Sequence, residues 1–389
     1  QAIAVGDGRK YCSALLVLDP ALLRTWAEKR QLGHLSYAEL SQRPEIRASI
    51  EKQMAKANAR LERWETVKRF AILDHELTVN NDGVTPNMKI RRAAATSSIR
   101  STTRRSDVFR TTIALRWSDL DAQGHVNNAV IADYLQEART AFFRAGPCSG
   151  LLDSGVVVVG HRISYLAPIS YSEAGIGADV VIARLGGARF DVSYTLFQDA
   201  TPVVRAVTVL CPFDFDAQQP ARLALTDREW LADHEADVEP LRHIDVPELG
   251  RNGSVTPCPV RWSDLDSYGH VNNVKVLDYL MQARIAATTS WSPAMARSGT
   301  SESRLNWLIA RQDVDYINQI THRLAPYAVR TAPASLGRTS VVLAAEIFNP
   351  DDGTTFARGR TVLVAADGTG KPVELPEEVR QDLSGRVIG

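Results

Sequence analysis

The chain has 389 residues, 44% hydrophobic and 23% charged, with 45 basic and 45 acidic side chains. That length exceeds one ordinary core and fits two or three domains. No apolar run approaches membrane-spanning length and no secretory signal opens the sequence, so a soluble protein of the cytoplasm is expected. The cysteines, Cys12, Cys148, Cys211 and Cys258, form no C-x-x-C pair, which indicates neither a zinc site nor a disulfide framework.

The charge is uneven along the chain. Residues 1–108 hold 19 Lys/Arg against 12 Asp/Glu, leaving 26 against 33 afterwards, and six of the eight lysines lie at or before Lys89. Two segments of different origin account for this, and the opening from Gln1 reads as mid-domain sequence, a piece of a longer chain. The apolar run "KYCSALLVL" (10–18) ends in Asp19-Pro20 and reads as a buried strand closed by a turn. Residues 36–70 carry apolar positions near helical spacing, with Pro44 at a first helical position. Residues 93–108 are small, polar and basic and read as a linker; the basic run lacks the interleaved aromatics of a nucleic-acid surface.

From Arg110 the order is a strand ("TTIALRW"), a Gly/Asn loop, a helix with apolar positions Val130, Ile131, Tyr134, Leu135, Ala138 and Phe142, and four β-branched strands. Residues 217–254 are acidic and read as a connector. The order then recurs, with a helix from about Asn273 to Ala296 and four more strands. The segment "RWSDLDAQGHVNN" (116–128) returns as "RWSDLDSYGHVNN" (261–273), displaced by 145 positions and altered at two. An internal duplication is the direct reading.

In both copies D-x-D-x-x-G begins a calcium-loop pattern, but the bidentate Glu required at the twelfth position is Val130 or Lys275. No metal is expected, and no G-x-S-x-G elbow supports a nucleophilic serine. A more consistent chemistry starts from a strand ending in two carboxylates, a turn through Gly124 or Gly269, and a helix beginning near Asn127-Asn128 or Asn272-Asn273. The unpaired first-turn N–H groups of such a helix stabilise an oxyanion. Asp121 or Asp266 beside it could attack a carbonyl or activate a water. Asp119 and Asp264 read as turn caps in preference to direct participants. His125 and His270 either orient a water or substrate or are structural, and Glu137, with Gln282 as its counterpart, lies on an exposed face.

These residues, "D-x-D-x-x-G-H-V-N-N" followed by "DYLQEAR" or "DYLMQAR", resemble the acyl-CoA thioesterases of the hotdog fold, in particular the 4-hydroxybenzoyl-CoA thioesterase branch, over about 109–216 and 255–370. The resemblance implies an α+β chain of two hotdog domains, each a long central helix wrapped by an antiparallel sheet, paired as an intrachain pseudo-dimer. It gives the catalytic carboxylate to Asp121 and Asp266 and thioester binding to the helix start, with Gly124, His125, Asn127, Asn128, Gly269, His270, Asn272 and Asn273 around it. Related acyl-carrier-protein thioesterases have Asn two places after this Asp, where this chain has Gln123 and Tyr268, so the two sites are expected to differ. No cofactor is implied beyond the CoA of the substrate. The pairing of the copies within the chain leaves a higher oligomer open.

"VGDGRKYCSALLVLDP" and "LTVNNDGVTPNMKIRR" resemble the C-terminal subdomain of AMP-forming long-chain acyl-CoA synthetases, which makes residues 1–95 a small α/β fragment and Lys89 the counterpart of the lysine that reaches the adenylation site. Nothing resembles the synthetase phosphate loop, so ligase activity is not expected from these residues alone. The expected organisation is 1–95 synthetase-like, 96–108 linker, 109–216 first thioesterase domain, 217–254 connector, 255–370 second domain and 371–389 tail. The expected function is acyl-CoA hydrolysis; the alternatives are a non-hydrolytic acyl-CoA-binding module and the tail of a ligase fusion.

Overall fold

The computed structural model describes residues 2–5, 12–41, 43–62, 65–73, 108–122, 124–295 and 305–388. Lys89, Gln123 and most of the linker lie outside the described residues. The chain divides into two compact units, 1–105 and 106–389.

In the first unit, strands β1 (Ala2–Val5), β2 (Cys12–Leu16) and β3 (Val67–Ile72) form one sheet, with β1 antiparallel and β3 parallel to β2. A parallel pair needs a long crossover, and the helices Pro20–Glu28, Tyr37–Ser41 and Pro44–Asn58 supply it. Asp19-Pro20 starts a helix where a turn was expected. The Asp19 carboxylate accepts from the N–H groups of Ala21 and Leu22 at 2.9 and 3.1 Å, and Pro20 occupies the position that needs no N–H. Leu23, Ala27, Leu40, Ile46 and Ile72 form the core.

The second unit contains the duplication. Its first half runs β4 (Phe109–Ile113), a long central helix (Ile131–Arg144), β5 (Val156–Tyr165), β6 (Ile176–Leu185), β7 (Phe190–Gln198) and β8 (Thr201–Asp214). A two-residue strand, β9 (Gln219–Pro220), hooks onto β8. The second half repeats this as β10 (Ser254–Cys258), a central helix (Lys275–Trp291), β11 (Asn306–Tyr316), β12 (Tyr327–Leu336), β13 (Ser340–Phe348) and β14 (Thr355–Ala366). The strand "TTIALRW" ends at Ile113, because Trp117–Asp119 turns into a 3-10 helix held by its own aspartate. The second central helix stops at Trp291, short of Ala296, since Pro293 cannot continue it.

Strand order is β10-β12-β13-β14-β11-β5-β8-β7-β6-β4, with every neighbouring pair antiparallel. Each half therefore makes a five-stranded sheet in the same order, and the halves join where β5 meets β11. In that seam Arg162 lies opposite Asp313. Each stands three residues before the tyrosine that ends its strand, Tyr165 or Tyr316, so one position of the repeat faces itself across a pseudo-twofold axis. Two identical halves would set like charges against each other there. Here Arg162 Nε lies 3.6 Å from the fully buried Asp313 carboxylate, whose other oxygen is 2.5 Å from Arg311 Nε.

The central helices lay apolar stripes on these sheets: Ile131, Tyr134, Leu135, Ala138 and Phe142 in one, Val276, Leu277, Leu280 and Ala283 in the other. Burying such side chains contributes roughly 1.5–3 kcal/mol each before the entropy of ordering them is deducted. The segment read as a connector carries a helix, Leu225–Asp233, whose Trp230 ring lies 4.5 Å from that of Phe142 and whose Leu231 is buried in the same core. The tail carries its counterpart, Glu377–Ser384, which buries Val379 and Leu383.

Candidate active site

Each repeated motif folds as one closed loop leading into a central helix. Leu120 bridges to Val126, and Leu265 to Val271. The Asp121 N–H donates to the His125 carbonyl at 2.8 Å, and the Asp266 N–H to that of His270 at 2.8 Å. The turn needs a left-handed residue, supplied by Gly124 (φ 79°) and Gly269 (φ 78°).

The first aspartate of each pair is a structural cap. Asp119 and Asp264 are buried, and each accepts from a tyrosine hydroxyl on the following helix, Tyr134 at 2.7 Å and Tyr279 at 2.6 Å. Their carboxylates also accept from the backbone N–H groups of Arg116 and Arg261, and their own carbonyls hold the Asn127 and Asn272 N–H groups at 2.8 Å. Burial and the nearby carboxylate raise both tyrosine pKa values well above the ordinary phenol range.

The second aspartate faces outward. Asp121 is exposed and Asp266 half-buried. Asp121 Oδ1 accepts the His125 N–H at 3.3 Å; Asp266 Oδ1 accepts those of Tyr268 at 2.9 Å and His270 at 3.3 Å. These bonds orient the carboxylates. His125 and His270 are half-buried beside them through their backbone, while Glu137 and Gln282 are exposed on their helices.

The helix starts bring the asparagines into use. Asn127 caps by accepting the Ala129 N–H at 3.0 Å, and Asn272 by accepting that of Val274 at 3.3 Å. The next residue of each pair, Asn128 or Asn273, has a backbone N–H with no partner among the described residues. A donor left open at a helix N-terminus is the element that binds a carbonyl oxygen gaining negative charge.

Four residues around these asparagines carry no sequence motif. Tyr165 donates to the Asn128 carbonyl at 3.0 Å, and Tyr316 to that of Asn273 at 2.8 Å. The Asn128 side chain donates to Gln312 Oε1 at 3.2 Å, and His161 Nε2 lies 3.1 Å from Asn273 Oδ1. Gln312 and His161 come from the opposite repeat in each case, so both helix starts are built across the seam. Burial, assisted by Arg139 and opposed by its bond to Asn273, pushes the His161 pKa down to about 3, which keeps the imidazole neutral. Asp133, in the first turn of the first central helix, has its pKa raised by burial, with Lys275 opposing. The only sequence signal for the strand residues is a polar side chain inside an apolar run.

The surroundings of the two loops differ. The Phe215 ring stacks on Tyr268 at 4.7 Å and on His270 at 6.0 Å, and the Tyr268 hydroxyl donates to the Leu152 carbonyl at 2.6 Å. The second loop is thus covered by residues of the first repeat.

Two solved structures share the fold of the duplicated unit. An acyl-ACP thioesterase from Bacteroides thetaiotaomicron is 12% identical with a TM-score of 0.50, over 66% of this chain and 97% of that one. The 12:0-ACP thioesterase from Umbellularia californica is 14% identical with a TM-score of 0.54, over 66% and 94%. The N-terminal residues have different relatives. A Mycobacterium tuberculosis protein named as a fatty-acid–CoA ligase is 42% identical over 90 residues, and a long-chain-fatty-acid–CoA ligase of the same species 29% identical over 93. The chain spans 16% of the length of each of these ligases. The sequence model of the thioesterase-like superfamily matches twice, at residues 115–232 and 260–383, one match for each half of the duplicated unit. With both halves matched and well over half of its residues covered, the chain belongs to the thioesterase-like superfamily.

Proposed function

We propose that residues 106–389 hydrolyse acyl-CoA thioesters to the free acid and CoA, at two sites within an intrachain pseudo-dimer of hotdog domains. The observation that carries the reading is the repeated pairing of an outward carboxylate with an unpaired N–H at the start of the next helix. The thioester carbonyl would accept from the Asn128 or Asn273 N–H, while Asp121 or Asp266 attacks its carbon or takes a proton from the attacking water. The tetrahedral intermediate then expels CoA as its thiolate, a far better leaving group than an amine; where the aspartate is the nucleophile, water next hydrolyses the acyl-aspartyl anhydride, which releases the acid and regenerates the carboxylate. General-base assistance contributes about 10²–10⁴-fold, and one preorganised oxyanion donor about 10²–10³-fold. For residues 1–95 we propose kinship with the C-terminal part of acyl-CoA ligases, with Lys89 as the synthetase-like lysine.

Release of free thiol from short-, medium-, long-chain and aromatic acyl-CoAs tests the reading on the whole chain. Asp121→Asn together with Asp266→Asn is expected to lower turnover by about 10²–10⁴-fold, and the single variants to divide it between the sites. Binding without turnover in the parent protein would replace hydrolysis with an acyl-CoA-binding role. Single turnover in ¹⁸O-labelled water tests for the covalent route: label in the aspartate means an anhydride intermediate.

A further inference from the structure

The strand residues that reach across the seam occupy the same place in the two repeats but are chemically different. Gln312 stands four residues before Tyr316, as His161 stands four before Tyr165. Both are buried, and each is paired in its sheet with a threonine, Thr361 opposite Gln312 and Thr208 opposite His161.

In the first site Gln312 Oε1 accepts from Asn128 Nδ2 at 3.2 Å and lies 3.2 Å from the Tyr165 hydroxyl, whose single proton it shares with the Asn128 carbonyl. In the second site the direction reverses. Asn273 Nδ2 donates to Asn272 Oδ1 at 3.2 Å, so Asn273 Oδ1 is the acceptor toward His161 and the imidazole proton sits on Nε2. His161 Nδ1 then accepts from the Thr208 hydroxyl at 3.0 Å. The Tyr316 proton goes to the Asn273 carbonyl at 2.8 Å. In both sites the side chain and carbonyl of one asparagine are held, which leaves its backbone N–H a single direction.

We propose that Gln312 and His161 are positioning residues acting across the seam, Gln312 on the Asn128 site and His161 on the Asn273 site, so that each half of the chain sets the geometry of the other half's site. The proposal rests on the reading of these helix starts as thioester-carbonyl sites. It goes beyond that reading by placing control of each site in the opposite repeat and by making the two sites separately adjustable. A donor displaced by about 1 Å costs on the order of 10²-fold in rate, so loss of the side-chain anchor is expected to reduce turnover more than substrate affinity.

The test uses the whole chain with one site active at a time. Asp266→Asn retains the first site and Asp121→Asn the second. In the Asp266→Asn protein, Gln312→Leu is expected to lower kcat about ten- to hundredfold with KM little changed. In the Asp121→Asn protein the same substitution is expected to leave kcat in place. His161→Leu is expected to act in the opposite sense. Gln312→His, with Thr361 behind it as Thr208 stands behind His161, is expected to recover most of the lost rate. Equal losses in both backgrounds, no loss, or no recovery by histidine would overturn the proposal, since a purely structural role harms both sites alike.

A second readout separates this proposal from the proposed reaction. An acyl-CoA ketone analogue with CF₂ in place of the thioester sulfur binds as its hydrate, a tetrahedral mimic of the transition state that cannot be hydrolysed, so its affinity follows the carbonyl-site geometry that sets kcat and not KM. Gln312→Leu and His161→Leu are each expected to weaken one of two binding sites in its titration. If no thioester is hydrolysed, hydrolysis fails as the function while the split titration still supports the positioning roles. A titration unchanged by both substitutions would overturn them.

Discussion

The two copies of the motif share eleven of thirteen residues, yet their loops have different surroundings. Asp121 is exposed, whereas Asp266 is half-buried on a loop that Phe215 and the Leu152 carbonyl cover. In a homodimer every contact at the axis and at both sites comes in identical pairs. Fusion of the copies removes that constraint, and the chain uses the freedom at three places. Arg162 faces Asp313 on the axis, His161 and Gln312 take the same role with opposite hydrogen-bond polarity, and Tyr268 stands where the other loop has Gln123.

The axis gives the largest expected effect. Asp313→Ala strips the buried carboxylate from Arg162 and Arg311, and breaking such a pair costs about 3–5 kcal/mol. A urea midpoint equal to that of the parent would show that the charge complementarity at the axis contributes nothing.

Where the copies agree, their responses should agree. Tyr134→Phe and Tyr279→Phe each remove one hydrogen bond to a buried aspartate and should each cost about 1.5–3 kcal/mol. A marked difference between the two midpoints would show that the caps have diverged with the rest of the site.

His161 should give the two repeats different pH responses. Its folded pKa, about 3, lies below the unfolded value near 6.5. The unfolded chain therefore binds a proton that the folded chain refuses. The stability it protects is complete above pH 6.5 and falls as pH drops towards 3, by about tenfold in the folding equilibrium per pH unit. His161→Gln should flatten stability between pH 7 and 5 relative to the parent, and a parallel pair of curves would count against a neutral buried imidazole.

The smallest effect is expected at the cover. Phe215→Ala removes stacking worth about 0.5–1.5 kcal/mol from the Tyr268 loop. Measured in single-site proteins, it should alter turnover at the Asp266 site and leave the Asp121 site unaffected; the reverse result would contradict the observed asymmetry.

Much of the motif is legible in the amino-acid order alone, because its signals are local. The Asp-Gly-Asn order specifies a turn and a capped helix start, and Asn127 and Asn272 do cap. Asp119 and Asp264 are held as turn caps by the neighbouring backbone, with a tyrosine added from the helix. The helices Leu225–Asp233 and Glu377–Ser384 are harder to place within the repeat, since "LTDREWLAD" and "EEVRQDLS" share little and dock through only a few apolar residues. Gln312, His161, Tyr165 and Tyr316 carry no local signal of a role. In sequence they are polar or aromatic residues in ordinary strands, more than a hundred positions from the asparagine that Gln312 or His161 contacts.

The sequence by itself determined the duplication, the apolar stripe of each central helix and the loop that carries each outward carboxylate, because turn chemistry, helix capping and hydrophobic periodicity act over a few residues. Only the tertiary structure decided that β5 pairs with β11, that Arg162 meets Asp313 and that each helix start is finished by a residue of the opposite repeat. Sheet edges pair through backbone hydrogen bonds common to every residue, so which edges meet depends on the packing of the whole unit.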